Sequence, residues 1–246
     1  YPFVMADALY TRVRENGRIR SKGFMVAVGI NEQGYREILG FSCADSETEA
    51  GWTTFFRELK GRGLSQVDMV ISDSHKGLVK AVKQCFQGAA WQRCQTHFSR
   101  NMLDVCPKKL HPEMKAALKS LYEAGDYETA VLLRDNILLR FQQEAPKAAA
   151  LLEESFEDVM AVLALPFAMR RRLRTTNGIE RLNEEIRRRE RVIRIFPNEE
   201  SLSRLIGALL MEINDGWQSG KVYLDLTAYL TQQLQVDKPT AKKSVA

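Results

Sequence analysis

The sequence predicts an α/β protein: a mixed five-stranded sheet with flanking helices, interrupted by an all-α insertion ahead of its last two long helices. Three observations predict it. The first 43 residues alternate apolar, strand-like runs with turn signals; from Glu47 the apolar period becomes helical and short strands alternate with helices; and residues 107–165 carry helical patterning throughout. At 246 residues, 45% hydrophobic and 27% charged, the chain has ordinary globular composition and is long enough to bury a core without staples.

Phe3 to Tyr10 (FVMADALY) is almost continuously apolar, as in a strand covered on both faces. Asn16-Gly17 is a strong hairpin signal, and Ile19 to Ile30 supplies the returning strand. Residues 31–34 form another turn, and Tyr35 to Cys43 completes an antiparallel meander. Trp52, Phe55, Phe56 and Leu59 recur at helical spacing within Glu47 to Lys60, which Gly61-Arg62-Gly63 stops. Val67 to Ser72 is a short strand ending at Asp73. Gly77 to Phe86 is a helix, and Ala89 to Cys94 a fifth strand. Thr175 to Val192 and Glu199 to Trp217 are helices, the second with Leu202, Leu205, Ile206, Leu209, Leu210 and Ile213 on its apolar face. From about Pro239 the chain is a polar tail expected to fray. The expected division is a core in two parts, 1–106 and 171–218, a helical insertion at 107–170, and a C-terminal tail at 219–246.

Several function classes are set aside by composition. The longest uncharged apolar run, Val159 to Met169, has eleven residues and contains Pro166, where a membrane span needs about 18. Asp7 interrupts the only early apolar stretch, so no signal peptide is expected. Cys43, Cys85, Cys94 and Cys106 are too few and scattered for a disulfide scaffold, and a cytoplasmic setting is expected. Net charge is +5, but Arg170 to Arg194 alone holds ten Arg and four Glu, leaving the rest of the chain at −1. Arginine forks match phosphate geometry, so this segment points to a phosphate-bearing partner; a solvated helix face is the plainer alternative.

Three acidic residues stand out. Asp7 lies in a strand that otherwise reads as core, so its charge needs a partner, a metal or water. Asp73 ends a short apolar strand before a helix: taken alone it reads as an N-cap, with Ser74 as substitute, or else as a ligand at the carboxyl end of a strand. Glu180 fits a capping box from Asn177, yet it lies four residues from Glu184 on one helix face, which calls for a compensating cation. Cys94 and His97 form a C-x-x-H pair. With Cys106 and His111 a zinc site is conceivable, but the layout is not that of structural zinc, and a buried supporting pair is expected. His75, beside Asp73, is either a site-edge or a helix-start residue.

Together these residues form a known arrangement. The stretches DALYTRVRENGRI (7–19), GYREILGF (34–41), VISDSHKGL (70–78), WQRCQTHFSRN (91–101), RTTNGIERLNEEIRRR (174–189) and VIRIFPNEES (192–201), in this order, resemble the Mutator-type transposase family of bacterial insertion sequences over about residues 1–218. The resemblance implies a ribonuclease-H-like fold and a DDE transposase, a polynucleotidyl transferase acting on DNA. It implies a catalytic, metal-binding set of Asp7, Asp73 and Glu180, separated by 66 and 107 residues, the longer gap holding the helical insertion. Two Mg²⁺ or Mn²⁺ ions are expected there. Arg181, Arg187, Arg188, Arg189 and Arg191 are expected to contact DNA phosphates, with Cys94 and His97 supporting the site. Partners are the element ends, target DNA and, during transposition, further copies of the chain, with no membrane involved. Family members carry an N-terminal region that binds the element ends. Tyr1 lies only six residues before Asp7, so that region is expected to be missing. A metal-dependent nuclease on the same fold, or a truncated inactive relative that only binds DNA, are the alternatives.

Overall fold

The computed structural model describes residues 1–236. Strand β1 (Phe3–Glu15) runs five residues beyond the apolar stretch. Its far half buries Leu9, Thr11 and Val13 and exposes Tyr10, Arg12 and Arg14, the period-two alternation of a half-covered strand. Asn16 and Gly17, with φ of 49° and 76°, make the turn; positive φ at both central residues matches the twist of the flanking strands. Strand β2 (Arg18–Ile30) returns antiparallel, and β3 (Arg36–Ala44) adds to its outer edge. Helix α1 (Glu49–Gly61) starts at Thr48, whose hydroxyl accepts the Gly51 amide. Strand β4 (Met69–Ser72) then pairs parallel with β1, helix α2 (Lys76–Cys85) follows, and β5 (Ala90–Arg93) pairs parallel with β4. The sheet order is β3-β2-β1-β4-β5, three antiparallel strands extended by two parallel ones, which is the ribonuclease-H-like arrangement expected.

Central position explains the apolar run of β1. Phe3, Met5, Leu9 and Val13 enter the core on one face of the sheet, while Val4 and Ala6 enter the core on the other, with Trp52, Phe56 and Leu78 from α1 and α2. A third core belongs to the insertion. It is built by α3 (Gln95–Val105), α4 (His111–Tyr122), α5 (Tyr127–Phe141) and α6 (Pro146–Met160) around Phe98, Met102, Leu118, Phe141 and Phe156. The first of these helices falls where the sequence reading assigned no element, and its Phe98 and Met102 already face the insertion.

Two buried glutamines join insertion to sheet. Gln92 on β5 donates to Val159 O and Arg93 O and accepts the Val162 amide at 2.6 Å, and Gln95 donates to Val159 O. After a short helix α7 (Phe167–Leu173), the long helices α8 (Asn177–Ile193) and α9 (Glu199–Gln218) return to the β1 face.

Residues 219–236, expected as tail, fold back onto the molecule. The amides of Tyr223 and Leu224 donate to Gly34 O, so close that a Cβ on Gly34 would collide with Leu224 O. Leu224, Leu226 and Tyr229 are buried in the main core, and Tyr229 sits on the last helix, α10 (Thr227–Val236). The polar tail from Pro239 lies outside the described residues. Among the described residues no helix is long and apolar enough to cross a membrane.

Candidate active site

Sheet register brings the two aspartates together. Phe3 lies opposite Met69 and Met5 opposite Ile71, an offset of 66 residues; the same offset carried two residues on sets Asp7 beside Asp73. Neighbouring strands lie about 4.8 Å apart, and the charge of Asp73 acts on the Asp7 carboxyl. Alternation along β1 turns Asp7 to the same face as Phe3 and Met5, where α8 packs, and Asn183 Nδ2 donates to Asp7 Oδ2 at 2.8 Å. Burial, then the charge of Asp73, push the Asp7 pKa up to about 7, against the Ala8 amide and His97, which pull it down.

Asp73 is not the cap of α2. That position belongs to His75, whose side chain makes no capping bond; Asp73 Oδ1 takes only the His75 amide, at 3.1 Å, because Asp73 lies two residues ahead of the cap. Its carboxylate is thereby left at the end of β4, facing the site.

Glu180 does not form a capping box either. The N-cap of α8 is Thr176, and Asn177 is already helical. Thr176 is fully buried, and its hydroxyl and amide both donate to Cys94 Sγ, at 3.3 and 3.4 Å. This clasp ties the start of α8 to the start of α3, reinforced by the Gln95 amide donating to Arg174 O. Ile179, Leu182 and Ile186 seat the helix on the sheet, which leaves Glu180 and Asn183 together on the adjacent face. Glu180 Oε1 lies 3.9 Å from His97 Nε2.

Cys94 and His97 are electrostatically coupled. Burial would raise the Cys94 thiol, but His97 and the two Thr176 donors outweigh it and bring the pKa below its ordinary value. The Cys94 sulphur in turn raises the His97 pKa against burial, helped by Asp7 and Asp73. Cys106 Sγ and His111 Nε2 instead face the backbone carbonyls of Pro107 and Cys106.

Glu47 is a site residue that sequence reasoning missed. It lies just before α1, with a side chain only 13% exposed and 3.9 Å from His75 Nδ1. Burial raises its pKa, His75 lowers it, and Asp73 raises it further. Asn183 was missed as well, although its place one turn after Glu180 was the signal for it.

The structure thus joins Asp7 to Asp73 and sets Glu180 against His97. The three carboxylates do not close on a common point: among the described residues no group of three His, Cys, Asp or Glu side chains is positioned to hold a metal. The donor set nevertheless fits a hard divalent cation. The charge of Asp73 acts on the buried Asp7 carboxyl, and Glu180 Oε1 and Asn183 Oδ1 are buried without a hydrogen-bond partner.

The basic segment divides in two. Arg170 donates to Leu165 O, Gly125 O and Leu163 O, and Arg174 to Tyr122 O, so both are committed to the fold. Of the arginines expected at DNA, Arg181 and Arg191 are exposed and Arg189 is half-buried. Arg187 pairs with Glu190 at 3.8 Å and Arg188 with Glu185 at 2.7 Å. Such exposed pairs are weak, and a phosphate competes with them readily.

One stability effect follows from Asp7. Its folded pKa of about 7 lies above its ordinary 3.8, so the stability it confers is full below about pH 4 and lost as pH rises towards 7. In EDTA at pH 7.5, Asp7→Asn is expected to raise the melting temperature, by an amount corresponding to at most about 4 kcal/mol, while Asn183 keeps an amide oxygen to bond. A variant that melts at or below the wild-type temperature contradicts the buried, uncompensated charge.

Comparison with known proteins places these residues in context. The family described as "Transposase, Mutator family" matches residues 1–220. The transposase for insertion sequence element IS256 in transposon Tn4001 of Staphylococcus aureus is 44% identical over 228 residues, 92% of this chain and 58% of the relative. The transposase for insertion sequence element IS1081 of Mycobacterium tuberculosis is 42% identical over 226 residues, 92% of this chain and 54% of the relative. The chain thus spans a little over half the length of these relatives. A solved structure of the HTLV-2 integrase catalytic core domain in complex with magnesium (trimeric form) matches with a TM-score of 0.25 and 13% identity, covering 51% of this chain and 87% of that one.

Proposed function

The chain belongs to the Mutator family of transposases, and from that premise we propose that it carries the centre that cleaves and rejoins DNA strands at the ends of a mobile element. What supports the reading is the β1–β4 register, observed as far as Met5 and Ile71, whose offset extended two residues aligns Asp7 with Asp73, together with the charge of Asp73 acting on Asp7 and the packing of α8 on the same face. Asp7, Asp73 and Glu180 would hold Mg²⁺ or Mn²⁺, two ions by the expected chemistry. Bound there, such ions supply a lowered pKa for the attacking water or 3′-hydroxyl and charge stabilisation for the departing 3′-oxygen.

The remaining work falls to the chain's own residues. Asn183 orients Asp7 through its amide. Cys94 fixes the start of α8 through Thr176 and favours the protonated form of His97, next to Glu180. Arg181, Arg187, Arg188, Arg189 and Arg191 draw the phosphate backbone along α8 without reading bases. Element ends, target DNA and a second copy of the chain are the proposed partners.

Incubation with supercoiled DNA and with duplex element ends, in Mg²⁺ or Mn²⁺, tests the reading; 3′-hydroxyl nicks at the ends and joined products are expected. Cleavage without joining identifies a nuclease, and DNA binding with neither reaction an inactive relative. In binding titrations, Arg187, Arg188 and Arg189 replaced together by Ala are expected to flatten the salt dependence by up to about three units for all sequences alike. An unchanged slope removes this row from the DNA path.

A further inference from the structure

Glu180 also lines a cleft of about 650 Å³ whose walls carry Arg36, Arg171, Arg172 and Arg181, with Glu184 at the rim. The four arginines come from three elements far apart in sequence: the first residue of β3, helix α7, and the first turn and a half of α8. Their placement is built. The Arg36 guanidinium is half-buried and stacked over Trp217 at 4.1 Å and Tyr223 at 4.3 Å, and Arg172 lies over the same Tyr223 ring at 4.8 Å. Tyr223 is in turn held by its amide bond to Gly34 O.

Among the described residues none of the four donates to a protein acceptor or pairs with a carboxylate, whereas neighbouring Arg170, Arg174, Arg187 and Arg188 all do. Four cations converging on one cleft repel one another. Glu180 and Glu184 offset that only in part, since neither forms an ion pair with them. Burial lowers the Arg36 pKa, and the charges of Arg172 and Arg181 lower it further, against Tyr223. A ligand with several anionic oxygens relieves this arrangement, and planar guanidinium groups held by aromatic rings are shaped for phosphate.

Resting on the strand-cleaving reading above, we propose that this cleft is a second phosphate site, which takes one or two backbone phosphodiesters of the DNA strand whose neighbouring phosphate lies at Asp7, Asp73 and Glu180. The shared wall at Glu180 makes the two sites continuous. The cleft is separate from the Arg187–Arg191 row, which lies further along α8.

The test is DNA binding by the full chain in Ca²⁺, with duplexes in which single phosphates are replaced by uncharged methylphosphonates. Arg171→Ala with Arg172→Ala is the main variant, because both residues are exposed and neither makes a side-chain hydrogen bond or ion pair among the described residues, with circular dichroism to confirm folding. Arg36→Ala is the second, with circular dichroism to confirm folding. Expected are a loss of affinity of about ten-fold or more at 0.1 M salt and a salt slope smaller by about two. A methylphosphonate one or two nucleotides from the scissile position is expected to weaken the wild type but not the double variant. Equal sensitivity of both proteins to every methylphosphonate, with cleavage by the wild type intact, overturns the cleft and leaves the functional reading standing. Absence of both DNA binding and cleavage in the wild type overturns the reading itself, and the cleft as a DNA site with it. Micromolar binding of inorganic phosphate, lost in the double variant while DNA affinity holds, assigns the cleft to a free anion and overturns the DNA assignment.

Discussion

Asp73→Asn and Glu180→Gln are each expected to lower strand cleavage about a thousand-fold or more, while DNA affinity at fixed salt stays level or improves. Both substitutions keep size and one acceptor oxygen while removing the charge. The Asp73 carboxylate accepts one protein hydrogen bond, from the His75 amide, which an asparagine oxygen accepts equally well; Glu180 Oε1 accepts none. Neither is therefore holding the fold together, and the expected loss comes from the cation the carboxylate no longer attracts. Lewis-acid activation is worth several kcal/mol of barrier, and each 1.4 kcal/mol is about ten-fold in rate. Affinity moves the other way because a negative charge facing phosphate has gone. Single-turnover cleavage and anisotropy titrations on the same preparations separate the two effects. A variant that cleaves within ten-fold of wild type removes that residue from the catalytic set.

Gln92→Leu is expected to destabilise the protein by ~3–5 kcal/mol. Gln92 is fully buried, and its amide makes three bonds, two of which join β5 to the end of α6 and the turn after it. Leucine fits the volume but strands the Val162 amide and removes a donor from Val159 O, and each buried group left unpaired costs about 1–3 kcal/mol. Gln95 still donates to Val159 O at 3.0 Å, which bounds the loss from above. Urea denaturation measures it; a change under about 1 kcal/mol shows that the insertion is held to the sheet by other means.

Much of the architecture was legible because it is encoded locally. The apolar run of β1, the Asn16-Gly17 turn and the helical spacing of Trp52, Phe55 and Phe56 each specify an element within a few residues, and the structure contains all three. The further half of β1, beyond the strand expected at Phe3 to Tyr10, carries its signal in the alternation of Leu9, Thr11 and Val13 with polar neighbours, which the sequence reading did not use. Caps were less so. Asp73 and Asn177 have the right residue types for capping, but which residue caps depends on where the chain enters the helix, and burial of Thr176 against Cys94 decides that for α8.

The candidate site shows the same division. Asp7 announced itself as a charge in an apolar strand, yet its pairing with Asp73 is a property of the β1–β4 register, which no local pattern contains. Glu47, Asn183 and Gln92 look like ordinary polar residues in sequence; each acquires its role from a contact made by a distant element. Arg36 is the extreme case, an isolated arginine at the start of an edge strand whose partners Trp217 and Tyr223 lie about 180 residues on.

The proposed centre requires Asp7, Asp73 and Glu180 together to bind the divalent ions on which strand cleavage depends. Its most direct test is a Mn²⁺ titration followed by electron paramagnetic resonance, with the wild type and Asp7→Asn each bound to a duplex ending in a 3′-hydroxyl. The account predicts two ions per chain in the wild type and the loss of at least one in the variant. Equal Mn²⁺ uptake by both proteins, or none by the wild type, would contradict it.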